Sequence, residues 1–184
     1  MADSNITKRA LAAALKELME TESFAQVSVG DICEKCQMNR KSFYYHFKDK
    51  YDLVNWIYFT EFLSTARLHG NREGWALLED LCSYFYENRK FYRKILSIEG
   101  QNSFASYFRE ILTLILSRDM EKIFGGDEAL DFYVDFFADA FVCAIRRWLS
   151  QRDCLSAKEF SRRLKRCLVK TSCQIVQDFA ADPR

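Results

Sequence analysis

The sequence is poor in the residues that interrupt helices. Its 184 residues include one proline and six glycines, so few positions end a helix or form a tight turn. No segment alternates apolar and polar residues in the way that a half-buried strand does. Because hydrophobic residues make up 49% of the chain, a sizeable core can form. We therefore expect an all-α protein with long helices.

The sequence also lacks the long apolar runs that cross a membrane. It has no stretch of about 18 uncharged apolar residues, and its N-terminal segment carries charges within the apolar pattern, unlike a signal peptide. The seven cysteines are odd in number, which favours reduced thiols over a disulfide framework. We expect a cytoplasmic protein without a membrane partner. Since the formal net charge is +1, only local charge can indicate a nucleic-acid partner.

Residues that serve catalysis or bind cofactors are scarce. His46 and His69 are the only histidines, and neither a phosphate-binding glycine loop nor a dinucleotide fingerprint is present. Cys33 and Cys36 form one C-x-x-C pair with no second pair at zinc-finger spacing, so helix packing is the favoured interpretation. We expect neither an enzyme nor a protein that holds a cofactor or a metal.

Apolar residues recur at helical spacing along the whole chain. In the first helix, for example, Ile6, Ala10, Leu11, Ala14 and Leu15 follow one face. About nine helices are predicted in all. Their approximate ranges are 5–20, 28–36, 39–47, 49–68, 74–87, 89–97, 103–123, 128–151 and 157–180.

The second and third helices carry clear start signals and are joined by a short turn. Ser28 is a good N-cap, and Asp31 three residues later completes a capping box. Asn39 is the expected N-cap of the third helix. Two short helices joined by the three-residue turn QMN after a longer helix are typical of the helix-turn-helix motif, whose second helix reads DNA.

The third helix has one apolar and one polar face. Phe43 and Phe47 are predicted to face the core, whereas Lys41 and Tyr45 lie on the opposite side. Between residues 35 and 50 the sequence has five basic residues and one acidic residue. A positive helix with exposed hydroxyl groups is suited to the phosphate backbone and the base edges of a major groove. A solvated basic face without a ligand is the competing interpretation.

The segment SVGDICEKCQMNRKSFYYHFKDKYDL resembles the DNA-binding segment of the TetR family of bacterial transcription regulators. The resemblance covers roughly residues 5–60, and the wording MNRKSFYYHF is most similar to the branch that regulates dihydroxyacetone-kinase operons. Two positions depart from the family's pattern, because Gln37 and Lys41 stand where glycine is common. If Gln37 adopts a positive φ, the cost is about 1 kcal/mol.

The resemblance implies which residues touch DNA. Tyr44, Tyr45 and Lys50 are expected to bind phosphates, and Lys50 also lies at the start of the fourth helix, where helix-end amides favour an anion. Base edges are the expected partners of the polar residues at the start of the third helix. The full predicted DNA-binding set is Ser28, Arg40, Lys41, Ser42, Tyr44, Tyr45, His46 and Lys50.

The C-terminal helices carry the other expected functions. The helices near 128–151 and 157–180 each carry an apolar stripe, which on the first of them includes Phe136 and Trp148. These stripes predict a homodimer, as the family implies; the competing interpretation is that they close the core of the monomer, and both can hold. Asp131, Asp135 and Asp139 step by four along the first of these helices, where a solvated face is favoured over a metal site.

The chain is expected to have two parts. Residues 1–48 form a three-helix DNA-binding domain, and residues 49–184 form a larger helical domain for dimerisation and sensing. The aromatic residues between 75 and 123 line a pocket for a small-molecule effector or simply fill the core, and a co-regulator protein is the other possible input. The predicted function is a sequence-specific transcription regulator that binds double-stranded operator DNA. The main alternative is a helical adaptor that binds proteins and no DNA.

Overall fold

A computed structural model of the chain describes residues 2–65, 74–98, 100 and 102–181. Every regular element in these residues is helical, which confirms the predicted all-α class. No helix among them is long and apolar enough to span a bilayer. The elements are α1 (Ala2–Thr21), α2 (Val29–Lys35), α3 (Arg40–His46), α4 (Lys50–Tyr58) with a π-helical continuation (Phe59–Leu63), α5 (Trp75–Glu87), α6 (Arg89–Ile95), α7 (Phe104–Phe124), α8 (Leu130–Ser150) and α9 (Ala157–Ala181).

The predicted helix starts of the N-terminal part are confirmed. Ser28 and Asp31 form the capping box of α2, with Ser28 N donating to the Asp31 carboxylate at 2.8 Å. Asn39 caps α3, and Asp49 caps α4 by accepting from two backbone amides. These side chains satisfy amides that have no partner within their own helix, so each short helix begins at a defined residue.

The turn between α2 and α3 contains one residue with left-handed backbone geometry. Gln37 has a φ of 56°, and Met38 N donates to Cys33 O at 2.8 Å to close the turn. Glycine adopts this geometry without the Cβ clash that Gln37 has to tolerate, which fits the penalty expected at this position. The tight turn orients α3 across α2, and both helices contact α1.

Helix α4 continues beyond Tyr58 with a wider π-helical turn. The predicted helix thus extends at least to Thr65, while its predicted end near residue 68, and His69, lie outside the described residues. Phe62 and Leu63 of the π-helical turn are buried, whereas Glu61 is exposed. A π-helical turn shifts the register of the following residues, so it changes which side chains face the core.

Aromatic side chains fill the core of the C-terminal part. Tyr58 is 1% exposed, and its ring contacts rings from α5, α6 and α7, among them Phe85 at 5.9 Å and Phe104 at 5.3 Å between centroids. Burial raises the pKa of the Tyr58 hydroxyl well above its usual range, with Tyr92 and Tyr107 adding to the effect. The rings pack against one another, so these residues form core instead of lining an evident pocket.

Helices α7 and α8 pack against each other along much of their length. The Arg109 guanidinium on α7 pairs with Asp135 at 2.9 Å and Asp139 at 2.5 Å on α8. The aspartate face predicted to be solvated is exposed, as expected, but two of its three carboxylates also form these ion pairs. The structure divides the predicted apolar stripe of α8, because Trp148 is buried whereas Phe136 is 57% exposed.

The last helix packs mainly on α5. Its Phe160 ring stacks on Trp148 of α8, with 4.2 Å between centroids. The Trp148 indole N–H donates to Leu155 O at 2.8 Å, which anchors the loop between α8 and α9. This corner connects the end of α8 to the start of α9.

Candidate DNA-binding site

The candidate site is the outer face of α3, which the caps and two buried rings hold in place. Asn39 Oδ1 accepts from Ser42 N at 2.8 Å. Phe43 and Phe47 point inward and are almost fully buried, as predicted. Phe47 packs on Trp56 of α4, with ring centroids 5.8 Å apart. The helix is only seven residues long, so this packing, more than helix propensity, keeps it folded.

Two tyrosines project from α3 into solvent. Tyr45 is 82% exposed and Tyr44 is 58% exposed. Tyrosine combines an apolar ring with a polar hydroxyl group and is enriched at binding interfaces, so this adjacent exposed pair forms a candidate contact surface. His46 lies half-buried beside them, with its ring edge-on to Tyr45 at 4.9 Å. The exposed hydroxyl groups are suited to phosphate oxygens along a DNA backbone.

The structure separates the basic residues of this region into two groups. Lys35 is paired with Glu17 at 3.2 Å, and Lys50 is engaged with backbone carbonyls. Within the described part of the chain, the side chains of Arg40, Lys41 and Lys48 make no ion pair or hydrogen bond. These three cations are therefore the ones available to an external anion.

Lys50 does not occupy the position expected of a phosphate ligand. Its ammonium group donates to Phe24 O at 2.6 Å and Val27 O at 2.7 Å, and it lies over the Phe24 ring. Burial lowers the pKa of Lys50, an effect that Asp31 partly opposes. The amides that begin α4 are likewise occupied, because the Asp49 carboxylate accepts from two of them. Lys50 thus fastens the loop between α1 and α2.

The remaining predicted residues lie around the same face. Arg40, Lys41, Ser42, Tyr44, Tyr45 and His46 all belong to α3. The Ser42 hydroxyl is close to Asn39 Oδ1 at 3.2 Å and is half-buried. Ser28 is the exposed N-cap of α2, and its hydroxyl oxygen accepts from Asp31 N, while its side chain also hydrogen-bonds the Asp31 carboxylate.

Two lysines connect the N-terminal helices to the rest of the chain, and sequence reasoning identified neither. Lys94 of α6 donates to Met19 O at 2.6 Å and Glu22 O at 2.8 Å, where α1 ends. Lys16 of α1 pairs with Glu61 in the π-helical turn. A cation at the C-terminal end of a helix, such as Lys94 at the end of α1, is favourable. Lys94 and Glu22 are 72 residues apart and Lys16 and Glu61 are 45 apart, so no local sequence pattern reveals these contacts.

A second candidate surface lies between α8 and α9. An open groove of about 470 Å³ runs along these helices and has Ala140, Ala144 and Leu164 in its wall. Cys143 lines it as well and is exposed. Ala140, Ala144 and Leu164 in its wall belong to the two apolar stripes that predict a dimer contact.

Two parts of the chain match known families. Residues 10–57 match the family described as "Bacterial regulatory proteins, tetR family". Residues 75–170 match the family described as "Transcriptional regulator C-terminal region". The first match contains α2 and α3, and the second spans the aromatic core, α7, α8 and most of α9.

Individual relatives agree with these matches. The HTH-type dhaKLM operon transcriptional activator DhaS of Lactococcus lactis subsp. lactis (strain IL1403) is 29% identical over 144 residues, which cover 78% of this chain and 74% of the relative. The solved structure of the dihydroxyacetone kinase operon activator DhaS is 27% identical, with a TM-score of 0.62 over 90% of this chain and 96% of that chain.

A more distant solved structure supports the fold alone. The TetR transcriptional regulator from Streptococcus agalactiae 2603V is 20% identical and gives a TM-score of 0.67 over 88% of this chain and 93% of that chain. Its helical arrangement is therefore similar to that of the present chain along most of both proteins.

Proposed function

Since this chain belongs to the TetR family of bacterial transcription regulators, a family of regulators and not of enzymes, we propose that it binds a specific operator through α3 as a homodimer. Its N-terminal unit (residues 1–48) reads DNA, and residues 49–184 dimerise and receive the regulatory signal. Tyr44 and Tyr45 bind phosphates and set the register of the helix. Arg40, Lys41 and Ser42 face base edges.

The observation that carries this proposal is the division of α3 into two faces. Phe43 and Phe47 are buried, while Lys41 and Tyr45 on the opposite side of α3 are exposed, and Lys41 makes no ion pair within the described residues. An 82% exposed tyrosine beside an unpaired lysine offers a hydroxyl group and a positive charge to the same stretch of DNA. Ser28, His46 and Lys48 extend the polar surface on both sides.

Dimerisation is supported by the unpartnered apolar surface of α8 and α9. Phe132 and Phe136 of α8 and Val169 of α9 are exposed in the single chain, and the groove between the helices is open. A second copy that covers these residues removes apolar area from water at about 25 cal/mol per Å². Two reading helices then contact half-sites about 34–36 Å apart, one DNA turn, which multiplies affinity and specificity.

The regulatory ligand or partner binds residues 49–184 at a place other than the aromatic cluster around Tyr58. The rings around Tyr58 pack on one another at centroid distances near 5–6 Å, so they offer little room for a small molecule. This packing favours a co-regulator protein over a small-molecule effector. Either input acts by changing the populations of two dimer geometries, which changes the separation of the reading helices.

Activation is the mode of regulation that we propose. The DhaS relative of Lactococcus lactis is named as an activator of the dhaKLM operon. Deletion of the gene for the present chain should lower expression from the promoter it binds, measured with a reporter fused to that promoter. Increased expression would identify a repressor instead.

The test of DNA binding compares wild-type protein with the variant Lys41→Ala/Tyr45→Ala. The wild type should enrich one sequence from a pool of randomised duplexes. The double variant should lose selective binding while it keeps the helical content and dimer size of the wild type. Lys158→Ala/Lys170→Ala on α9 removes two exposed lysines far from α3 in sequence and serves as the matched control. Full-strength selective binding by the α3 variant would refute the assigned site.

The second candidate function is a helical adaptor that binds proteins through its exposed apolar surface. Phe132, Phe136 and Leu114 are strongly exposed at the α7–α8 pair, which favours a protein contact there. The two functions differ in their response to DNA. An adaptor should enrich no sequence from the pool, whereas the regulator should.

A further inference from the structure

We propose that Gly30 of α2 is a specificity-determining residue, because the space left by its missing side chain holds Arg40 of α3 in position to contact a base. This inference rests on the proposed DNA-binding function. It concerns the orientation of one side chain at the start of the reading helix.

The contact between the two residues is close. A Cβ atom built on Gly30 would lie 3.2 Å from Arg40 Cζ and 3.3 Å from Arg40 Nε. It would lie closer still to one terminal guanidinium nitrogen of Arg40, Nη2, at a separation that a real Cβ does not tolerate. The guanidinium therefore occupies the volume that any other residue at position 30 would fill. Gly30 needs no unusual backbone geometry, because its φ is not positive.

The Arg40 guanidinium lies against Gly30 of α2 without an ion pair to a carboxylate, although the charge of Asp31 attracts it. The Asp31 carboxylate itself is engaged with Ser28, whose backbone N–H donates to it at 2.8 Å. Within the described residues, Arg40 makes no hydrogen bond or ion pair. A guanidinium presents five N–H donors in a rigid fork that matches the acceptors of a guanine edge. Because the Arg40 guanidinium makes no hydrogen bond within the described residues, it keeps all of these donors for DNA.

The neighbouring basic residues show the alternative arrangement. The Lys50 ammonium group donates to the carbonyl oxygens of Phe24 and Val27, and Lys35 is paired with Glu17. Arg40 differs from both, because its guanidinium lies against Gly30 and makes no ion pair or hydrogen bond within the described residues. Fixing a flexible side chain before binding lowers the entropy that binding has to overcome.

Replacement of Gly30 by alanine separates positioning from folding. Alanine has the higher helix propensity, so α2 should be at least as stable as in the wild type. The new methyl group meets the flexible end of Arg40 and no backbone atom. The guanidinium then moves away, and the cost appears in DNA recognition instead of in the free energy of unfolding.

The experiment uses the full-length protein and the duplex that the wild type enriches from a randomised pool. Affinity is measured for this duplex and for its single-base-pair variants, with wild type, Gly30→Ala, Arg40→Ala and the double variant. Arg40→Ala should reduce discrimination about tenfold at one base pair of each half-site, the scale of one bidentate contact. Gly30→Ala should lose most of the same discrimination at the same base pair, and the double variant should lose no more than Arg40→Ala.

Two controls isolate the effect. Glu34→Gln changes an exposed side chain one turn further along α2 and should keep the wild-type base preference. The thermal midpoint of Gly30→Ala should equal or exceed that of the wild type. An unchanged base preference in Gly30→Ala would overturn the proposal. So would an altered preference at base pairs other than the one that Arg40→Ala affects, with the double variant losing more discrimination than Arg40→Ala alone.

A measurement without DNA distinguishes failure of this inference from failure of the proposed function. In the free wild-type protein, NMR should detect proximity between the Gly30 α-protons and the side-chain protons of Arg40. Absence of this contact would overturn the inference even if the protein selects an operator. If the wild type selects no DNA sequence, the proposed function fails and the inference fails with it.

Discussion

Lys16 of α1 and Glu61 of the π-helical turn form an ion pair in which the ammonium nitrogen lies 2.5 Å and 2.7 Å from the two carboxylate oxygens. The same carboxylate accepts from the Tyr84 hydroxyl at 3.0 Å, and the Tyr84 and Tyr92 hydroxyl oxygens are 2.7 Å apart. A continuous polar chain thus runs from a helix of the N-terminal part to the edge of the aromatic core. Glu61 in the π-helical turn is the residue that joins Lys16 to Tyr84 in this chain.

Replacement of Glu61 by alanine should destabilise the protein through both of its partners. We expect the free energy of unfolding to fall by about 1–2 kcal/mol, because the exposed ion pair contributes under about 1 kcal/mol and the loss of a charged acceptor for Tyr84 adds a similar amount. Lys16→Met removes the ion pair alone and should cost less. Urea unfolding of the two variants measures this difference. Equal losses would mean that the Tyr84 contact contributes nothing.

Replacement by methionine should lower stability at Lys50 and should weaken DNA binding at Lys48. Lys50→Met removes the donor to Phe24 O and Val27 O and should lower the free energy of unfolding by about 1–3 kcal/mol, because those carbonyls lose their partner. Lys48→Met should change stability by less than about 0.5 kcal/mol but should weaken DNA binding. Thermal unfolding and DNA titration of both variants test this pair.

A stable Lys50→Met variant with weakened DNA binding would restore the phosphate role that the sequence suggested for Lys50. The sequence places this lysine at the start of a helix, next to a basic reading helix, where an anion contact is a sound expectation. The fold directs its side chain backwards to a loop 23–26 residues earlier, and only the packing of α4 on α1 brings the two together.

The capping box of α2 should make stability depend on pH in the acid range. Hydrogen bonds from the backbone and side chain of Ser28 hold the pKa of Asp31 below its usual value. The folded state therefore favours the ionised carboxylate, and the stability it contributes is present above the unfolded-state pKa, near 3.9. This contribution begins to decrease as the pH approaches the unfolded-state pKa and is lost as the pH falls through the lower pKa of the folded state.

Asp31→Asn isolates that pH dependence. The free-energy difference between wild type and variant should shrink as the pH is lowered from about 5 to 3, when unfolding is measured by urea titration at each pH. A constant difference across this range would show that the Asp31 carboxylate is not ionised preferentially in the folded state.

The cysteines should report both burial and dimerisation. Burial raises the pKa of Cys82 to about 12, and this thiol should react with alkylating reagents only when the protein unfolds.

Cys143 is exposed in the single chain and lines the groove between α8 and α9. In the proposed dimer, Cys143 should be protected at micromolar concentration and should react faster on dilution. Reaction of Cys143 at one rate at all concentrations would contradict the proposed interface.

Local features of the sequence predicted much of the fold. Ser28, Asn39 and Asp49 are side-chain caps that act within three residues, and the apolar spacing of α3 identified Phe43 and Phe47 as core. Such signals depend only on neighbouring residues, so they can be recognised without the tertiary structure.

Other features depend on tertiary contacts that no local pattern contains. The apolar spacing of α8 placed Phe136 with Trp148, but the packing of α7 buries a different stripe that includes Val134 and Ala138. A long helix between two partners has two apolar faces, and the sequence does not state which neighbour each one meets. The contact of Arg40 with Gly30 likewise requires the angle between α2 and α3.

The most direct test of the central claim is binding to the promoter DNA that flanks the protein's own gene, at two salt concentrations and against random competitor DNA. We predict selective binding that weakens steeply as salt increases, because the unpaired side chains of Arg40, Lys41 and Lys48 release counterions from phosphates. Protection of two half-sites one DNA turn apart would agree with the proposed dimer. Binding that random DNA removes equally well would contradict the account of α3 as a sequence-reading helix.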